Sequence, residues 1–247
     1  MNALQTKRVA WPTVVHVTHW KAGSQWIYKI LLGCVPDRIV PPQLEMAQVL
    51  DEAILPGGVY PTVYVTREEF EQIKLPSDVR PFVVIRDLRD TLVSFYYSLK
   101  LSHPVIHPSV AEERALLQSM SVDEGLIHVM DVWLPLCSRI QESWLAVDAP
   151  IVRYEDLLEG DLPILERVLL DTCGLPVDRE LFREVVLANR FDRLSGRSRG
   201  EEDQHAHERK GIAGDWRRHF AGRIKRAFKA RFGELLVAAG YESDLAW

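Results

Sequence analysis

The chain has 247 residues, 47% of them hydrophobic and 26% charged, a balance that excludes collagen-like, low-complexity and disordered classes. A net charge of −5, from 30 basic and 35 acidic residues, argues against a general nucleic-acid binder, and no run of about 18 apolar residues reads as a membrane span. Three scattered cysteines (Cys34, Cys137, Cys173) form neither a disulfide framework nor a zinc pattern; with an N-terminus lacking a signal-peptide core, they point to a reducing, cytoplasmic location.

Thr13–Thr18, apolar and β-branched, predicts a buried strand, and a polar turn with Gly23 and Ser24 then opens a helix through Trp26–Leu32. Prolines 36, 41, 42 and 56 and the pair Gly57-Gly58 break the next stretch into loops. Val59–Thr66 reads as a strand interrupted at Pro61, and Pro81–Ile85 as another, followed by a helix from about Asp90 to Leu99. Residues 110–146 read as helices, Ile151–Tyr154 as a short strand, and Leu162–Cys173 as a helix ended by Gly174 and Pro176. Trp216–Gly240 is again helical. Strands alternating with helices predict one α/β domain over residues 1–247, with a parallel sheet covered on both faces.

Charge is uneven along the chain. Between Val186 and Phe232 stand 13 Lys/Arg against 6 Asp/Glu, so this stretch carries +7 and the remainder −12. The stretch faces an anion or forms a solvated helical face. Within it, Ser195–Gly214 predicts a mobile loop, poorly ordered by itself because its crowded cations repel one another.

Three segments carry chemistry. The first, Thr18-His-Trp-Lys-Ala-Gly-Ser-Gln-Trp26, leaves a strand and opens a helix, so free backbone N–H groups and the Lys21 ammonium can cradle a phosphate-like anion. Alone it also fits an ordinary strand-to-helix turn with a surface lysine. It lacks the G-x-x-x-x-G-K-[ST] order of a Walker A loop. The second, Arg86-Asp-Leu-Arg-Asp-Thr-Leu-Val-Ser94, puts an arginine at a strand's carboxyl end, where open α/β sheets bind ligands. The third, Arg209-Lys-Gly-Ile-Ala-Gly-Asp-Trp216, places two cations beside two glycines, a loop able to fold over a phosphate or to stand as a solvated basic loop.

Together these segments, in this order, resemble the sulfotransferases that use 3′-phosphoadenosine 5′-phosphosulfate (PAPS). T-H-W-K-A-G-S-Q-W is similar to their donor loop T-Y-P-K-S-G-T-T-W. R-D-L-R-D-T-L-V-S-F-Y-Y is similar to their R-N-x-K-D-x-x-x-S-x-Y-Y, and R-K-G-x-x-G-D-W is unchanged. The resemblance spans about residues 13–220 and implies a P-loop-NTPase-like fold with central parallel sheet, PAPS as donor, no metal, and a small-molecule or carrier-bound acceptor. It further implies that Lys21, Ala22, Gly23, Ser24 and Gln25 hold the 5′-phosphosulfate, and that Arg86, Ser94, Arg209, Lys210 and Gly211 hold the 3′-phosphate. Trp26, Tyr154 and Phe191 would form the adenine pocket, or serve as core aromatics.

Two departures stand out. The K-T-H whose histidine is the base in small-molecule members is replaced by Val65-Thr66-Arg67, and an arginine cannot act as a base at neutral pH. His207, Glu68 and His19 are the candidates in its place, with His207 preferred for its intrinsic pKa and its place beside Arg209. The dimerisation segment K-x-x-x-T-V-x-x-x-E has no counterpart over Arg217–Arg226. The missing base leaves open a non-catalytic nucleotide-binding module; a P-loop kinase would need the Walker signature the chain lacks.

Overall fold

The computed structural model describes residues 11–42 and 53–247; the N-terminal expectations and residues 43–52 of the proline-broken stretch lie outside the described residues. In chain order the elements are β1 (Thr13–Thr18), α1 (Ser24–Cys34), β2 (Val59–Val63), α2 (Arg67–Gln72), β3 (Val79–Ile85), α3 (Leu88–Tyr97) and α4 (Pro108–Ser119). Then come α5 (Val122–Val132), α6 (Leu134–Leu145), β4 (Ile151–Arg153), α7 (Tyr154–Leu165), α8 (Arg179–Ala188), α9 (Phe191–Ser195) and α10 (Gly222–Ala238).

The four strands form one parallel sheet in the order β2-β1-β3-β4. All six residues of β1 are buried, as a central strand covered on both faces requires. Successive β1 side chains point to opposite faces. Val14 joins Ile27, Leu31, Phe82, Val84 and Phe182 under α1 and α8, while Val15 and Val17 join Val63, Val83, Phe70 and Trp144 under α2 and α6. A third cluster joins α3, α5 and α10 through Leu92, Tyr96, Leu126, Met130, Phe228 and Leu236.

Several expectations are corrected. Pro61 does not interrupt β2, because an edge strand tolerates a missing N–H; the register against β1 shifts between Val15 and Val17 instead. The α3 helix starts two residues early, at Leu88, because the Asp87 carboxylate accepts the Arg89 amide at 2.9 Å. Helix also begins at Tyr154 rather than Leu162, and bends at Gly160.

Strand order reverses between β1 and β3. The turns leaving these two strands, His19–Gly23 and Arg86–Asp87, therefore flank the crevice where such sheets bind ligands.

Candidate functional site

The turn after β1 is shaped by two left-handed residues. Gly23 has φ 88°, and a Cβ there would lie 2.9 Å from the Tyr154 ring, so only glycine fits. Lys21 has φ 67°, unusual for a residue with a side chain and worth about 1–2 kcal/mol of backbone strain. Helix α1 then begins without a side-chain cap and without an acidic residue in its first turn, so the N–H groups near Ser24 and Gln25 face an anion without competition. Lys21 Nζ donates to Ser98 Oγ at 3.1 Å. Burial, then Arg86 and Arg209, push the Lys21 ammonium down to about 8.

Arg86 converges on the same place. Its Nη1 donates to the Lys21 carbonyl at 2.8 Å, its guanidinium lies 4.4 Å from the Tyr154 ring centroid, and its buried Nε has no partner. Trp26 meets Tyr154 edge-on at 6.2 Å, and its buried indole Nε1 is likewise unpartnered. Gly211, φ 64°, lies against Phe191 so closely that a Cβ would come within 2.5 Å of the ring. Lys21 to Trp26, Arg86 and Tyr154 are thus brought together, and the Arg86 Nη2 contact with the Ile212 carbonyl at 3.5 Å sets the Gly211–Phe191 pair alongside.

Arg209 and Lys210 are placed differently from the expectation of unpartnered cations. Lys210 Nζ and Arg209 Nη2 each pair with Asp215 at 2.5 Å, Arg209 also pairs with Glu202, and its guanidinium lies 4.8 Å from the Tyr97 ring. The premise of repelling, unpartnered cations is therefore corrected: Glu202 and Asp215 pair with them. The loop is also fastened to the body. Glu208 pairs with Lys29 of α1 at 3.0 Å, and the Asp90 carboxylate accepts the Gly214 and Trp216 amides at 2.6 and 2.9 Å.

The three base candidates separate. His207 is an exposed residue within the field of Lys21 and Lys29; partial desolvation by the neighbouring chain, then the Lys21 charge, hold its imidazole down to about 4. His19 is fully buried, with Nδ1 2.9 Å from the Trp20 carbonyl and Nε2 3.1 Å from the Gln141 amide. Burial pushes its pKa to about 4, so it is neutral, and Nδ1–H donates to Trp20 while Nε2 accepts. Gln141 Oε1 is the atom at His19 Nε2, so this tautomer requires the amide turned over, its NH₂ then donating to the ring nitrogen. Both ring nitrogens are thereby occupied, and His19 is corrected from base to buttress of the turn. Glu68 stands exposed in the first turn of α2, between the capping-box residues Thr66 and Glu69.

Sequence reasoning missed Ser98, one helical turn beyond Ser94; the four-residue spacing that puts both on one face was the available signal. It also missed Tyr64, whose hydroxyl lies 3.1 Å from Ser24 Oγ and whose ring lies 4.9 Å from Trp20. Trp20, Tyr64, Phe95 and Trp133 form a continuous aromatic wall next to Lys21, with centroid separations of 4.9 to 6.2 Å.

The residues present fit a ligand with two anionic ends and a planar base. The uncapped α1 N-terminus with Lys21 suits one anion, the orphaned Arg86 Nε a second, and Trp26 with its free indole N–H a ring. Among the described residues no cluster of three or more His, Cys, Asp or Glu is grouped to hold a metal ion. No helix of the described residues is long and apolar enough to cross a membrane.

A family model described as "Sulfotransferase domain" matches residues 69–240, and so starts after the donor-loop motif. Sulfotransferase 6B1 of Danio rerio is 24% identical over 232 residues, covering 84% of this chain and 73% of its own length. Sulfotransferase 2B1 of Rattus norvegicus is 24% identical over 243 residues, covering 88% and 69%. Among solved structures, mouse sulfotransferase SULT7A1 complexed with PAP superposes with a TM-score of 0.63 at 16% identity, over 91% of this chain and 84% of that one. Retinol dehydratase in a complex with retinol and PAP gives 0.56 at 15%, over 91% and 81%.

Proposed function

Because the chain belongs to the sulfotransferase family, we propose that it transfers a sulfuryl group from PAPS to a hydroxyl of a small or carrier-bound acceptor, releasing 3′-phosphoadenosine 5′-phosphate (PAP). The observation that carries this is the convergence of Lys21, Arg86 and the uncapped α1 N-terminus at the sheet's switch point, beside Tyr154 and Trp26.

In the transfer, sulfur's bond to the donor phosphate oxygen breaks, its bond to the acceptor oxygen forms, and the acceptor proton passes to a base. Lys21 and the Ser24 and Gln25 N–H groups hold the 5′ end, and Lys21 meets the negative charge that grows on the departing oxygen. Arg86, Ser94, Arg209, Lys210 and Gly211 hold the 3′-phosphate, while Trp26, Tyr154 and Phe191 enclose the adenine. His207 takes the acceptor proton. It is neutral at pH 7, and the donor's anionic charge beside Lys21 raises its basicity from about 4. The wall of Trp20, Tyr64 and Trp133 gives the acceptor an apolar face to lie against. A cytoplasmic location is consistent with three buried, unpaired cysteines.

Titration of the purified protein with PAP and with AMP tests the donor assignment. Saturable binding that prefers PAP supports it, and equal affinity for the two sinks it. Labelled PAPS offered with a broad panel of hydroxyl compounds separates an enzyme from a module that only binds nucleotide.

A further inference from the structure

The segment after α10 makes contacts that the donor site does not account for. Gly240, at φ 70°, turns the chain back on itself, with the Tyr241 amide bonded to the Leu236 carbonyl at 2.8 Å. Residues 241–247 then run against the turns that carry the donor-binding residues. The Tyr241 hydroxyl donates to Glu155 Oε2 at 3.0 Å, and Glu155 Oε1 accepts the Asp87 amide at 3.1 Å. Glu242 pairs with Arg89, which is only 2% exposed and also forks onto the Asp87 carboxylate at 2.7 to 3.1 Å. The Arg89 guanidinium packs against two mutually edge-on indoles, 3.9 Å from the centroid of Trp216 and 4.6 Å from that of Trp247.

Two of these contacts end one residue from a group assigned to the donor, and a third ends beside the acid that holds two such groups. Glu155 follows Tyr154, Asp87 follows Arg86, and Trp216 follows Asp215, which holds Arg209 and Lys210. Resting on the donor assignment above, we propose that Tyr241 and Glu242 are positioning residues that lock the 3′-phosphate half of the site. Without the Glu242 charge, Arg89 keeps Asp87 as its one carboxylate partner among the described residues, and the turn carrying Arg86 loses its outer tie. Recognition of phosphate by a guanidinium fork is sensitive to such displacement. The 5′ end rests on the N-terminal amides of α1 and on the Lys21 ammonium, which bonds Ser98; Arg86 meets Lys21 only at its backbone carbonyl, and neither Tyr241 nor Glu242 contacts that turn directly.

The test is the affinity of Glu242→Ala and Tyr241→Phe for PAP and for AMP, which lacks the 3′-phosphate, with melting temperature recorded for each variant. Tyr241→Phe removes a single hydroxyl and keeps the ring, so it covers the case in which Glu242→Ala does not fold. The expected result is a PAP dissociation constant raised about three- to ten-fold, with that for AMP within about two-fold of the parent. A general loosening of the fold would weaken both nucleotides alike, and that outcome overturns the proposal. So does PAP affinity unchanged within about two-fold in every variant that folds. A parent protein with no preference for PAP over AMP overturns the donor assignment and the proposal with it; a parent that prefers PAP isolates the failure to the network.

Discussion

Lys21 Nζ donates a hydrogen bond to Ser98 Oγ over 3.1 Å, although the two residues stand 77 positions apart. The bond joins the turn after β1 to the end of α3, and it aims the ammonium along the crevice rather than into solvent. Lys21→Ala is expected to lower turnover about 10²–10³-fold, because the lost charge matters most when the leaving oxygen becomes negative. PAP affinity should fall far less. Steady-state kinetics with PAP binding measured in parallel checks this; turnover held within a few-fold would remove Lys21 from its role.

The pH profile follows from two depressed pKa values. Lys21, pushed down to about 8, loses its charge as pH rises through that value, so kcat/KM should fall above about pH 8. His207, pushed down to about 4, gains a proton only below that, so the acidic limb lies near pH 4. In the donor complex both move upward, and the kcat profile should sit at higher pH than that of kcat/KM. Lys21→Arg, charged throughout, should erase the alkaline limb.

If Arg209 holds the 3′-phosphate as proposed, Glu202 competes with the donor for it. Its carboxylate occupies one side of a guanidinium that Asp215 already holds on the other. Glu202→Gln should therefore tighten PAP binding about two- to ten-fold, since the phosphate no longer displaces a charged partner. Calorimetric titration at fixed ionic strength measures it. Weaker binding would mean that Glu202 orients Arg209 rather than blocking it.

Gly23→Ala should be destabilising and should abolish nucleotide binding. The left-handed φ alone costs about 1–2 kcal/mol for a residue with a Cβ, and the new methyl would strike the Tyr154 ring. A melting temperature and PAP titration equal to those of the parent would contradict the turn's geometry.

The base is tested by comparing His207→Asn with Glu68→Gln. The first should bind PAP normally, lose about 10²–10⁴-fold in turnover, and lose the acidic limb of the profile. The second should behave as the parent, because Glu68 stands in the first turn of α2, whereas His207 lies within the field of Lys21. Full activity with an unchanged profile in His207→Asn would exclude that histidine.

The sheet and the donor loops were legible locally. β-branched runs such as Thr13–Thr18 admit little but a buried strand, and the turn from β1 into α1 follows from Gly23 and from a helix start without an acidic residue. Motif order likewise singled out Arg86 and Arg209 as candidates, because short anion-binding turns keep their chemistry within a few consecutive residues. Partnership between distant side chains was not legible. Whether Arg209 stands free or paired depends on Glu202 and Asp215, and whether His19 is a base depends on Gln141, 122 positions away. Burial decides such questions: once α6 covers His19, its ring nitrogens must find protein partners instead of water, and which ones they find is a property of packing rather than of local pattern.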